Sequence, residues 1–345
     1  MAKYGAAIIG AGWVAEEYVK VFRDHPLTDL VGIYSKTPEK PAALLRKHGV
    51  DGRVYASADE LFDDERVAII ASCTHPDVRR EHCVRAAETG RHIVIEKPVG
   101  TTLEDALAIR EAVAKAGVKT VTSVVLRWNP QFATVRQLIA DGVLGELLVG
   151  EADYWHPLKD IYPGYPYFIT KQHGVSAVIT GGVHAVDILR HLGGEIVEVA
   201  AFSAKPKRNL DFEYDPNITA SVRFANGAIG RLSTIFDADT PYIFNCRLFG
   251  TEGTIIDNTV FSSKHYPGAL DYWSFPTIVP DSAEVEHHPF KEEIEHFLEC
   301  IENDVESHAS IFDTWKSMAV AVAMDESAAL GGQPVKVRLE APVTA

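Results

Sequence analysis

The apolar run Ala6-Ala7-Ile8-Ile9 meets Gly10-Ala-Gly12-Trp-Val-Ala15 almost at the start of the chain. The Gly-x-Gly-x-x-Ala spacing closes a buried strand and opens a helix, and few folds accommodate it there. The first glycine makes a tight turn. The second lets the backbone approach a pyrophosphate, and the small alanine lets helix and strand pack closely. The N-terminal N–H groups of the helix would face the phosphates. Gly-rich turns are common, so the surroundings carry the argument. Val14, Tyr18, Val21 and Phe22 recur at helical spacing, and Leu30-Val31-Gly32-Ile33-Tyr34 follows as a strand.

Strand and helix alternate onward. Strands are predicted over 4–9, 30–34, 67–72, 92–95 and 120–125, and helices over 13–23, 41–48, 77–89 and 103–116. Thr102 with Asp105 reads as a capping box, and Gly90 and Gly117 follow the helices they would end. This alternation implies a parallel sheet with helices on both faces. A chain of 345 residues exceeds what one core usually serves, and the pattern changes after residue 125. A helix over 130–140 precedes strands over 147–154, 197–203, 217–224, 228–236 and 242–249. Asn226-Gly227 is a strong hairpin signal and Thr251-Glu252-Gly253 a second turn, so this sheet is expected to be mostly antiparallel. Helices over 289–303 and 314–330 would cover one face. Residues 155–173, aromatic and rich in Pro and Gly, read as a long loop beside a site or as irregular packing. The expected fold class is α/β followed by α+β, with a dinucleotide-binding domain over 1–125 and a substrate-binding domain over 126–345.

A net charge of −15 without any Lys/Arg run argues against nucleic acid and anionic membrane as main partners, though not against a phosphorylated ligand held by a few local cations. No apolar run approaches a membrane span. Met1-Ala-Lys-Tyr4 runs straight into the first strand, so a chain without a leader is expected. Cys73, Cys83, Cys246 and Cys300 are widely spaced and form no Cys-x-x-Cys, which fits reduced thiols in the cytoplasm. His287-His288 are adjacent, an arrangement that rarely turns both rings to one ion, and no metal is expected.

Strand two ends in Tyr34-Ser35-Lys36-Thr37-Pro38-Glu39. A carboxylate here would bind a ribose 2′-hydroxyl. Ser35 and Lys36 instead offer a hydroxyl and a cation, which suit a 2′-phosphate, so NADP(H) is favoured over NAD(H). The alternative is that Lys36 is a solvated cation and both cofactors are accepted. Asp29 precedes the strand and Glu39 belongs to the next helix.

Ile95-Glu96-Lys97-Pro98 ends the fourth predicted strand, which points Lys97 at the ligand crevice of a parallel sheet. A lysine there can stabilise a developing alkoxide. Pro98 restricts the backbone and could fix the lysine through a cis bond. In Thr180-Gly-Gly-Val-His184-Ala-Val-Asp187-Ile-Leu-Arg190, helical spacing puts His184 and Asp187 on one face, and His184 has the pKa range of a general base. Taken singly, these stretches also fit a plain strand end and a structural histidine.

Together they resemble the Gfo/Idh/MocA family, the glucose–fructose oxidoreductase and inositol dehydrogenase-like enzymes. The resemblance runs through Gly10–Ala15, Thr74 to Lys97, Arg127-Trp128-Asn129-Pro130, His184-x-x-Asp187 and 290–332. It implies a Rossmann domain, then an α+β domain whose large open sheet forms a homodimer or homotetramer interface. It implies that Lys97 and His184 flank the carbon being oxidised. It also implies cofactor contacts from Gly10, Gly12, Trp13, Val14, Ser35, Lys36, Thr74, His75, Glu96 and Lys97. Substrate contacts are expected from Thr180, Arg127, Asn129, Trp155, Asp187 and Lys171. Trp128, Trp155 and Tyr162, Tyr165 and Tyr167 suit sugar faces, and His156 offers a second polar contact. Family members commonly carry Gly-Gly-Gly ten residues before the histidine and Asp four before it. Here Gly174-Val175-Ser176 and Thr180 stand in those places, which puts the substrate in question more than the hydride chemistry. The expected reaction is reversible oxidation of a secondary alcohol on a sugar, glycoside or cyclitol. A redox-neutral NAD-dependent glycoside hydrolase and a non-catalytic dinucleotide sensor are the alternatives.

Overall fold

The computed structural model describes residues 4–162, 164–280 and 288–340. In chain order the elements of the first part are β1 (Tyr4–Ile9), α1 (Ala15–Asp24), β2 (Thr28–Tyr34), α2 (Glu39–Lys47), β3 (Arg53–Tyr55), α3 (Ala58–Phe62), β4 (Ile69–Ser72), α4 (Pro76–Glu88), β5 (His92–Ile95), α5 (Leu103–Ala116) and β6 (Thr120–Thr122). There follow α6 (Pro130–Ala140), β7 (Leu147–Trp155), α7 (Tyr165–Phe168), α8 (Val183–Gly193), β8 (Ile196–Ala204), β9 (Asn217–Phe224), β10 (Ile229–Ile235), β11 (Ile243–Gly250), β12 (Thr254–Ile256), β13 (Thr259–Phe261), β14 (Trp273–Ser274), α9 (Phe290–Glu302), α10 (Ile311–Ala329) and β15 (Val335–Lys336). The chain divides into two compact units, Met1–Val125 with His288–Trp315, and Leu126–His287 with Lys316–Ala345. Among the described residues no helix is long and apolar enough to cross a membrane. All four cysteines are free thiols.

The first unit holds a six-stranded sheet in the order β3-β2-β1-β4-β5-β6, parallel throughout. Strand order reverses between β1 and β4, the place where open α/β sheets bind ligands beyond their strand ends. Ala6, Ala7, Ile8 and Ile9 are fully buried, as a central parallel strand requires. The α5 capping box of Thr102 and Asp105 is present, and Gly117 ends that helix at φ 69°, a left-handed position that glycine takes without a Cβ clash. β3 and α3 are too short for periodicity to reveal, although Ser57, whose side chain accepts the Glu60 N–H, is an N-cap signal. Strand β6 stops at Thr122, short of the expected 125, because Val125–Trp128 turns into a 3₁₀ helix. Helix α9 was expected over the second sheet. It packs in the first unit, where Phe290 meets the Tyr18 ring edge-on at 5.1 Å.

The second unit holds a nine-stranded sheet in the order β14-β13-β12-β11-β7-β10-β9-β8-β15. Its pairings are antiparallel except β7 with β10, which run parallel from Val149–Ile229 to Trp155–Ile235. The Asn226-Gly227 turn joins β9 to β10 as a hairpin. Helix α8 covers one face, and every residue from Val183 to Arg190 is buried. The turn before it, Val178–Gly182, is a π-helix. Gly181 and Gly182 are needed there for close approach. A Cβ at Gly181 would stand 2.7 Å from the Tyr154 ring, and one at Gly182 would run into the Thr234 side chain.

Candidate active site

In the first unit, the expected cofactor residues gather at the C-terminal ends of β1, β2, β4 and β5. Gly10 has φ +100°, and a Cβ there would stand 2.6 Å from the Cys73 carbonyl oxygen, so only glycine fits. Its N–H donates to Tyr34 O at 2.8 Å, tying the ends of β1 and β2 together. A Cβ at Gly12 would meet nothing within 4 Å, and Val14 ahead of α1 gives the helix no side-chain cap. In the first turn of α1 the Glu17 N–H donates to Val14 O at 3.0 Å, and an uncapped helix start is suited to an anion. Ala15 is fully buried, which lets α1 lie close on β1, while Trp13 is 39% exposed. Beyond β4, Thr74 Oγ1 is a buried hydroxyl without a hydrogen-bond partner among the described residues, and His75 leads into α4. An orphaned hydroxyl, an uncapped helix start and a glycine-only turn fit a dinucleotide pyrophosphate.

At the end of β2, Ser35 is half-buried and its Oγ accepts the Thr37 N–H at 3.5 Å, while Lys36 is exposed. Asp29 lies inside β2 near its start, at the opposite end from the ligand crevice, and Glu39 opens α2.

Lys97 follows β5, and the Lys97–Pro98 peptide is cis. Arg79 donates to the carbonyls of Thr74 and Pro98 and so clips the loops after β4 and β5 together. Burial pushes the Lys97 ammonium below its ordinary pKa, and the neighbouring Glu96 opposes that shift. Glu96 was expected among the cofactor contacts. Its side chain is turned inward, 6% exposed, where Oε1 accepts Tyr18 O–H and Oε2 accepts the Lys97 N–H.

In the second unit, His184 is 5% exposed on α8 and its ring lies 5.7 Å from that of Tyr154. Tyr154 Oη is 3.1 Å from His156 Nδ1, and Tyr162 and Tyr242 meet the His156 ring edge-on at 5.6 and 5.3 Å. Burial raises the Tyr154 phenol well above its ordinary pKa, so it is a neutral donor. The histidines and tyrosines form one aromatic wall with polar tips, a surface that can stack on a ring and hydrogen-bond its hydroxyls.

Several expected substrate contacts do other work. Asp187 receives Arg127 Nε and Nη2, both at 2.7 Å, and Ser317 Oγ at 2.7 Å, and both charged side chains are 1% exposed. This pair anchors α8 to the segment before α6. Asn129 caps α6, its Oδ1 accepting the Gln131 N–H at 2.9 Å. Thr180 Oγ1 donates to the Gly174 carbonyl and holds the preceding loop. Lys171 is exposed, and its backbone N–H donates to Glu213. Trp155 lies on the sheet face opposite Tyr154, with its Nε1 donating to Ser233 Oγ at 2.8 Å beside Asp153. The tyrosine group also divides: Tyr162 joins His156, whereas Tyr165 Oη accepts from Asn209. Trp155 ends β7, and the described residues from 156 to 173 are irregular apart from α7. His287 lies outside the described residues.

Tyr154 is the contact that sequence reasoning missed. The signal was present, because Gly150, Ala152 and Tyr154 alternate on β7 and two small residues mark the face that receives a helix.

Residues 4–124 match the oxidoreductase family with an NAD-binding Rossmann fold, and residues 132–256 match the GFO/IDH/MocA C-terminal domain. A D-apiose dehydrogenase of Paraburkholderia graminis is 25% identical over 203 residues, which spans 59% of this chain and about half, 53%, of that protein. A scyllo-inositol 2-dehydrogenase (NAD(+)) of Bacillus subtilis is 25% identical over 289 residues, 83% of this chain and 82% of the relative. Among solved structures, levoglucosan dehydrogenase in complex with NADH and levoglucosan shares the fold at a TM-score of 0.83 and 23% identity, over 97% of this chain and 99% of that one. The glycine turn, the sheet order and the two matched segments agree: this chain belongs to the Gfo/Idh/MocA family of oxidoreductases, with an NAD-binding Rossmann domain.

Proposed function

We propose that the protein moves a hydride between NADP(H) and a secondary alcohol or ketone of a sugar, glycoside or cyclitol. The observation that carries this reading is a dinucleotide cradle at Gly10, Gly12 and Thr74 with Lys97 at a neighbouring strand end of the same sheet. Relatives named for apiose and scyllo-inositol support the substrate class. The bound nicotinamide supplies the hydride acceptor or donor, which no side chain can provide.

Lys97 donates a hydrogen bond to the substrate oxygen and stabilises the alkoxide that develops there. His184 takes the hydroxyl proton in oxidation and returns it in reduction. Tyr154 and His156 orient the ring of the substrate, while Arg127 and Asp187 hold α8 in place. Ser35 and Lys36 receive the 2′-phosphate, consistent with a hydroxyl and a cation where an NAD site would use a carboxylate. The sheet face that carries Trp155 joins copies of the chain into a homodimer or homotetramer in the cytoplasm.

The test is a panel of monosaccharides, glycosides, sugar acids and inositols with NADP+ and NAD+, followed by the absorbance of reduced nicotinamide. Turnover with a polyol, faster with NADP+, is expected. Tight dinucleotide binding with no turnover across the panel, or free sugar released from glycosides without cofactor reduction, would overturn the reading.

A further inference from the structure

Two buried carboxyl groups sit behind Lys97, and the reaction just described uses neither. Glu96 is 6% exposed and Glu293, from α9, is 0% exposed. Two hydroxyls link them. Tyr18 Oη of α1 lies 3.1 Å from Glu96 Oε1 and 2.5 Å from Ser123 Oγ, which in turn lies 2.9 Å from Glu293 Oε1. All four residues belong to the first unit. The other titratable groups facing them are the Arg79 guanidinium of α4, the Lys97 ammonium and the Cys73 thiol.

The hydrogens can be counted. These three oxygen–oxygen links need a hydrogen each, Tyr18 and Ser123 carry one apiece, and the further approach of Tyr18 to Glu293 adds no hydrogen to share. Two ionised carboxylates would leave one link with none. One carboxyl therefore carries the third hydrogen, and the surroundings decide which. Burial lifts Glu96 above the usual carboxylate range too, but Arg79 and Lys97 beside it oppose that lift, and its Oε2 accepts the Lys97 N–H. The charged neighbour of Glu293 is Glu96 itself, and burial with that repulsion lifts Glu293 well above the usual carboxylate range. With the proton on Glu293 every link runs one way. Glu293 donates to Ser123, Ser123 to Tyr18, and Tyr18 to the Glu96 carboxylate.

We propose that Glu96 is a positioning residue that sets the ionisation of Lys97, and that Glu293 keeps Glu96 ionised by holding the single carboxyl proton of the chain. The inference rests on the reading of Lys97 as the alkoxide-stabilising lysine, but its test needs neither substrate nor cofactor. A failed test is therefore distinct from a failed dehydrogenase assay.

Lys97 in the full chain is titrated by competitive labelling with an amine-reactive anhydride, read by mass spectrometry across pH. Glu96→Gln removes an opposing charge and should lower the Lys97 midpoint by about one unit or more. Glu293→Gln keeps a donor of the same shape and should leave the midpoint in place. An unmoved midpoint in Glu96→Gln, or an equal shift in Glu293→Gln, overturns the proposal. A second measurement uses the wild-type chain first: the infrared band of a neutral carboxyl, recorded well above the pH of about 7 at which Asp325 titrates. The band should be present and should vanish in Glu293→Gln. Its absence from the wild type, or its loss in Glu96→Gln alone, overturns the proposal.

Discussion

The two units carry polar networks of opposite composition. In the second unit Arg127 holds Asp187, Ser317 joins Asp187 to Arg190, and Arg190 and Lys316 both reach Glu195. Each carboxylate there meets a guanidinium or an ammonium. In the first unit the chain from Glu96 to Glu293 holds two carboxyls bridged only by hydroxyls, and it must keep a proton to close. A charge-balanced network can be buried as it stands, whereas an acid-rich one is stable only if it stays partly neutral. The first kind fixes the helix that carries His184. The second stands behind Lys97, where a tunable charge is useful.

Breaking the balanced network should have the largest effect. Arg127→Ala leaves the Asp187 carboxylate buried without its bidentate partner and is expected to cost about 3–5 kcal/mol in urea denaturation. Replacing both residues with apolar ones of matching volume should cost far less. An equal loss would show that the pair contributes more than mutual compensation.

The comparison sharpens at Asp325, a buried acid inside the second unit. Burial raises its pKa to about 7, with Ser176 Oγ, 2.6 Å away, opposing the shift. Its unfolded value is near the ordinary 3.8, so the stability that it contributes is full below about pH 4 and is lost as pH rises through 7. Asp325→Asn should match the wild type at acid pH and gain on it between those values, by at most about 4 kcal/mol. An advantage that does not grow with pH would mean that Asp325 ionises freely in the folded chain.

Next come the two candidate catalytic groups. Lys97→Ala should lower turnover by roughly a hundredfold or more, about 2.7 kcal/mol. Near-normal turnover would remove Lys97 from the chemistry. His184→Ala should suppress turnover by about two orders of magnitude while dinucleotide affinity stays intact. Equal loss of cofactor binding would make His184 structural. The smallest effect is expected at the rim of the first unit. Ser35→Asp should move the ratio of NADP(H) to NAD(H) efficiency towards NAD(H) by roughly tenfold, about 1.4 kcal/mol.

The sequence made the first unit readable because its functional geometry is backbone geometry. Gly10, Gly12 and the strand ends are set by spacing, and five of the six strands of that sheet follow from apolar runs. The second unit was less legible because its site is made of side chains brought together over long separations. Arg127 and Asp187 were both singled out, but that they hold each other could not be read from positions sixty residues apart. Trp155 stands out in sequence as an aromatic beside a loop, whereas Tyr154 shows its place only once strand alternation puts it on the face receiving α8. Glu293 reads as a solvated helix residue until its neighbours are counted. Phe290, Glu293, Ile294 and Phe297 share one helical stripe, and a carboxyl on that stripe is a buried one.

The most direct test follows the hydride. The full chain is given reduced nicotinamide cofactor deuterated at C4, together with a mixture of keto-sugars and inososes, and the products are read by mass spectrometry. The account predicts one deuterium bonded to carbon in a polyol product, matched by oxidised cofactor. Deuterium that stays on a bound cofactor, with no labelled polyol formed, would contradict it.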